Sequence, residues 1–73
     1  MSFFDEYTIR QAVVKGYDAF NQMADLAPSP YKNKGGWYLE LDAAWSEGWS
    51  AAMYGQLLDE TIKKVLNRHR NPR

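Results

Sequence analysis

The sequence predicts an all-α fold, a helical hairpin, and three observations predict it. Apolar or small residues recur at Ile9, Val13, Gly16, Phe20 and Met23 and again at Leu41, Trp45, Gly48, Ala52 and Gly55. Spacings of three and four are one face of an amphipathic helix. Between the two stripes, Ala27 to Gly36 gathers Pro28, Pro30, Asn33 and the Gly35-Gly36 pair, residues that favour turns. No two segments read as partnered strands. Trp37 to Leu41 alternates weakly, but a lone strand in a chain of 73 residues has nothing to pair with.

The first helix is expected over about residues 3–26. Ser2 can cap it, with Asp5 near the positive end of the helix dipole. Pro28 and Pro30 stop it near Leu26. A Pro/Gly loop over about 27–37 leads into a long or bent helix over about 38–69, closed by Asn71-Pro72. Its stripe continues through Leu58, Ile62, Val65 and Leu66. At about 1.5 Å per residue this element outruns the first helix, so something must cover the part beyond Gly55. Either Gly55 marks a bend that folds a third helix back, or Leu58, Ile62 and Val65 pair with a second copy of the chain. The helix propensity of Gln56 to Leu66 favours the continuous, dimerising arrangement.

Seventy-three residues make one small domain, 1–73. Chains of this size need a staple or very good packing, and the chain has no cysteine to form a disulfide. Gly16 and Gly48 each lie within a helical pattern, where glycine costs about 1 kcal/mol against alanine. Both sit on inward stripes, so the expected compensation is a close helix crossing, flanked by Tyr17, Phe20, Trp45 and Trp49.

Nine Lys and Arg balance nine Asp and Glu, which argues against broad adhesion to nucleic acid. The distribution is uneven. Lys63, Lys64, Arg68, Arg70 and Arg73 follow one another with no intervening acid, giving the molecule a basic end. These cations, with Lys32 and Lys34 of the loop, are candidate phosphate contacts. Tyr31, Trp37 and Tyr38 lie in or beside the loop, where exposed rings stack on unpaired bases at about 1 to 3 kcal/mol each. The structural alternative is that Tyr31 and Trp37 fold over the open end of the hairpin as a lid. For the basic end it is a solvated last turn that complements the helix dipole.

Catalytic chemistry is not expected. No Gly-x-Ser-x-Gly elbow and no glycine-rich phosphate loop is present, and the single histidine, His69, stands in the last turn between Arg68 and Arg70. Asp59 and Glu60 are adjacent and point different ways on a helix, so they do not converge on a metal; they can pair with Lys63 and Lys64 one turn on. No cofactor or metal is expected. The sequence contains no apolar run of about 20 residues that would span a membrane, and no leader or lipidation motif is read at its start. The expected location is the cytoplasm.

The order Gly16-Tyr17-x-Ala19, Pro30-Tyr31, then Trp45-x-x-Gly48-Trp49-x-x-Ala52-Met53 resembles the ribosome modulation factor family, whose small helical members bacteria use to put ribosomes into hibernation. CrpP-like small bacterial proteins resemble a branch of the same family. The likeness covers residues 15–53 and leaves 54–73 as a C-terminal helical extension. It implies docking on the small ribosomal subunit near the exit of the messenger channel, contact with ribosomal RNA and arrest of translation. In the family the N-terminal segment is basic; here it reads Met1-Ser2-Phe3-Phe4-Asp5-Glu6-Tyr7, which shifts the expected contacts to the loop and the basic end. The other expectation is a phage- or mobile-element-encoded module that inhibits a host protein, using the Leu58, Ile62, Val65 stripe or the aromatic lid.

Overall fold

Asp5 starts the first helix. Its carboxylate accepts a hydrogen bond from the Thr8 backbone N–H at 2.8 Å while its carbonyl accepts the first helical bond, from Ile9, at 3.1 Å, the two bonds of an N-cap residue. The capping role expected of Ser2 therefore falls to Asp5; Ser2 lies outside the described residues. The structure is a computed structural model and describes residues 4–23, 29–31 and 36–70. Helix α1 runs Glu6–Met23, and the expected end near Leu26 falls outside that description.

A single 3-10 turn, Gly36–Tyr38, leads into α2, Leu39–Met53. No strand is present among the described residues, so the weak alternation at Trp37 to Leu41 is helical. Helix α2 buries Leu41, Ala44, Trp45, Gly48 and Ala51. The inward stripe thus ends on Ala51, with Ala52 half-buried.

The second helical segment is bent. Gly55 takes a φ of 71°, the left-handed conformation that ends helices. The Gln56 N–H donates to the Ala51 carbonyl at 2.8 Å and the Gly55 N–H to that of Ala52 at 3.2 Å. These paired bonds close α2 and reverse the chain into α3, Leu58–Arg70. Gly55 is therefore a turn residue and not a member of the buried stripe.

Helix α3 packs on both α1 and α2. Ile62 and Val65 join Ile9, Ala12, Val13, Leu41 and Ala44 in one core, with Leu58 and Leu66 packed at its margin. This overturns the expectation of a homodimer through Leu58, Ile62 and Val65. The chain covers that stripe with its own first two helices, and burial of Ile62 and Val65 is worth about 2 kcal/mol each. Buried Thr61 directs its hydroxyl back to the Leu57 carbonyl at 3.0 Å, so its burial leaves no unpaired oxygen.

The α1–α2 crossing is built on the two glycines. A Cβ on Gly16 would collide with the Trp45 carbonyl, whose carbon would be 2.8 Å away. A Cβ on Gly48 would collide with the Val13 carbonyl, its carbon also at 2.8 Å. The contact is reciprocal: each helix lays backbone against the other's glycine. The core that results contains three alanines, Ala12, Ala44 and Ala51, residues short enough to keep the helices close.

Candidate docking surface

The family-like residues gather around the crossing. Trp45 is buried beside the two glycines. Phe20 of α1 and Trp49 of α2 meet edge to face, ring centres 5.2 Å apart at 90°, a favoured aromatic geometry. The Tyr17 hydroxyl donates to the Gln56 carbonyl at 3.1 Å, tying α1 to the turn before α3. Ala19 is half-buried, while Pro30 and Met53 are exposed.

Aromatic residues close one end of the hairpin. Tyr31 stacks on Tyr38, centres 6.2 Å apart and planes 16° from parallel, and Phe4 tilts against Tyr38 at 5.9 Å and 48°. All three rest on the core. The Tyr31 N–H donates to the Ser29 hydroxyl at 3.2 Å. Tyr31 and Tyr38 are thus placed as a lid, each ring turned toward the other. Lys32, Lys34 and the Trp37 side chain lie outside the described residues.

The basic residues fall on α3 and reach carboxylates of both other helices. Arg68 Nη2 donates to Glu47 Oε1 of α2 at 2.9 Å, and Lys64 Nζ lies 3.7 Å from the other oxygen of the same carboxylate. Arg70 grips Glu6 of α1 through Nε and through Nη2, the latter at 2.8 Å from Oε1. Between these two arginines, His69 Nδ1 meets Glu40 Oε2 at 3.0 Å. Three consecutive residues of the last turn therefore engage three carboxylates on two helices. The hydrogen bond from Arg70 holds the Glu6 carboxyl below its ordinary range, with the charges of Arg70 and His69 adding to the effect. Glu6 in turn raises the guanidinium of Arg70.

The charges remain accessible. The side chains of Lys64, Arg68 and Arg70 are 60%, 57% and 57% exposed, and Lys63 is exposed without a carboxylate partner among the described residues. Lys63, Lys64, Leu66, Asn67 and Arg70, with Glu60 at one end, line a shallow hollow of about 490 Å³. The cations are spaced along an open surface, with the exposed Asp59 and Glu60 in the first turn of the same helix.

A second surface was not legible in the sequence. Met53, Tyr54 and Leu57 are exposed together at the α2–α3 turn, Tyr54 and Leu57 by 72% and 69%. Their exposure follows from the reversal at Gly55, which a continuous helix lacks. Glu6, Glu40 and Glu47 were likewise not singled out, since their partners lie 64, 29 and 21 residues away. Among the described residues no group of His, Cys, Asp and Glu could hold a metal ion, and no helix is long and apolar enough to cross a membrane. Comparison with protein-family models, with curated proteins and with solved structures finds no match to this chain.

Proposed function

We propose that this protein is a ribosome-associated translation modulator of the ribosome modulation factor type, binding the small ribosomal subunit. One observation carries the reading. The residues that resemble the family are distant in sequence, yet Gly16, Tyr17, Trp45, Gly48 and Trp49 belong to one helix crossing or its flanks. A likeness made of mutually packed residues is harder to obtain by composition than the same letters scattered over unrelated sites. The cations of α3 supply a surface that phosphates would attract.

The second reading is a protein-binding module, encoded by a phage or another mobile element, that occupies a host protein. The exposed Met53, Tyr54 and Leu57 favour it, because clustered apolar residues on a surface mark protein contacts. The stripe of Leu58, Ile62 and Val65 does not serve this purpose, since Ile62 and Val65 are buried in the core.

Co-sedimentation of the tagged protein with ribosomal particles on sucrose gradients, at low and at moderate salt, separates the two. The translation-modulator reading expects migration with small subunits or ribosome dimers, weakening as salt rises. Protein that stays at the top of the gradient at both salts refutes it and leaves the protein-binding module.

A further inference from the structure

We propose that the exposed turn between α2 and α3 is a self-complementary contact surface whose partner is a second copy of this chain, with Leu57 of each copy beside the two-fold axis and Tyr54 of each seated in the hollow next to the other's Gly55. The inference goes beyond the ribosome-associated reading and does not depend on it.

The reversal at Gly55 builds the surface. It turns Met53, Tyr54 and Leu57 outward while Ile62 and Val65 enter the core, so this contact is separate from the buried stripe of α3. Residues Met53 to Leu57 are all exposed, and three of them are large and apolar, a clustering that marks a contact surface. Beside them lies an open hollow of about 380 Å³ lined by Gly55, Gln56, Leu57, Glu60, Thr61 and Lys64. Its Gly55 side is open, since no described atom lies within 4 Å of where a Cβ would stand.

The choice of a second copy follows from what this surface carries. A protruding ring adjoins an open hollow, and in an isologous pair the same patch meets itself, so each copy supplies both parts of the fit. The polar groups match in the same way. The Tyr54 hydroxyl can donate and the Glu60 carboxylate accepts, and neither is engaged by another group among the described residues. Leu57 stands midway between them in the chain, so a two-fold axis beside Leu57 brings Tyr54 of one copy towards Glu60 of the other. Lys64, one turn beyond Glu60, balances its charge, and the chain as a whole has no net charge to hold two copies apart. An apolar centre within a polar rim is the anatomy of a protein contact. The patch is small, which places the pair among weak, concentration-dependent contacts, below about 1,200 Å² in total.

The chain has no cysteine, so one introduced thiol reports on one position. Leu57→Cys is expected to form a disulfide-linked dimer under mild oxidation several-fold faster than Leu39→Cys. Leu39 is the matched control, 68% exposed against 69% for Leu57 and at the opposite end of α2, about 20 Å away. Sedimentation velocity of the wild type from micromolar to near-millimolar concentration is expected to show a mass rising towards that of two chains. Leu57→Ser, which supplies a capping hydroxyl to α3, is expected to keep the helical circular dichroism spectrum and to weaken association by about tenfold or more. Tyr54→Phe, which keeps the ring and removes the donor, should weaken it several-fold. Equal cross-linking at positions 57 and 39, or a wild type that remains a single chain at the highest concentration, overturns the proposal and leaves the turn to a different protein. A Leu57→Ser variant that associates as strongly as wild type places the contact elsewhere and overturns it too. Association unchanged by Tyr54→Phe overturns the pairing of Tyr54 with Glu60.

Discussion

Gly48 of α2 lies directly against the carbonyl of Val13 in α1, and the space a Cβ would need is already filled by that backbone. The obstacle is main chain on both sides, so no rotamer change relieves it. Gly48→Ala would gain about 1 kcal/mol of helix propensity, yet it forces apart helices whose interface carries most of the core, an overpacking penalty of about 1–3 kcal/mol or more. The expected outcome is net destabilisation in a urea melt, and failure to fold for Gly48→Leu. Gly36→Ala is the control, since no described atom lies within 4 Å of its Cβ position; its midpoint should stay or rise slightly. Equal midpoints for Gly48→Ala and wild type would mean the crossing is looser than described.

Ile62 distinguishes the three-helix fold from a dimerising long helix. It is 8% exposed and packs in the core shared by all three helices. Truncation to alanine is expected to cost about 2–3 kcal/mol and to leave the mass in solution the same as that of wild type. A variant that keeps its stability but changes its association state would place Ile62 between chains.

The crossing was legible from sequence because Gly16 and Gly48 each break the local helix preference on an apolar stripe, and such a conflict needs a tertiary reason. The reversal at Gly55 was only half legible. Propensity is a local quantity and reads Gln56 to Leu66 as a continuation of α2, whereas the left-handed φ of Gly55 is stabilised by the bonds from the Gly55 N–H to Ala52 and from the Gln56 N–H to Ala51, and by burial of Ile62 and Val65 in the shared core. The docking face was legible in its cations and not in its charge balance. Lys64, Arg68 and Arg70 stand out as a basic run, but the carboxylates that hold them come from Glu47 and Glu6, and no spacing rule connects residues so far apart in the chain.

Leu57 occupies an unfavourable place for its own helix. Its carbonyl accepts the first helical bond of α3, from Thr61 at 3.1 Å, which makes it the N-cap, and leucine is among the poorest residues there. Its side chain is also 69% exposed. Leu57→Asp is expected to stabilise the fold by about 1 kcal/mol, read as a higher urea midpoint. If the exposed turn docks a protein, the same variant loses that partner while its stability rises, a combination that separates a binding role from a folding role. A lowered midpoint would show that Leu57 packs against the fold.

Acid should loosen α1 at its start and its tie to α3 together. The Asp5 carboxyl is held below its ordinary range by its hydrogen bonds with Thr8, side chain first and backbone next, and the Glu6 carboxyl by Arg70. A carboxyl whose value is lower in the folded than in the unfolded chain contributes stability that is full above the unfolded value and is lost as pH falls through the folded one. Stability is therefore expected to be flat with respect to these two groups at neutral pH and to decline across the acidic carboxylate range. Asp5→Asn keeps an oxygen to accept the Thr8 N–H, and Glu6→Gln keeps one for Arg70; both remove the titrating group. Urea midpoints followed from neutral to acid pH should fall less steeply for the double variant than for wild type. Parallel curves would mean that neither the cap nor the Glu6–Arg70 contact distinguishes the folded chain from the unfolded one.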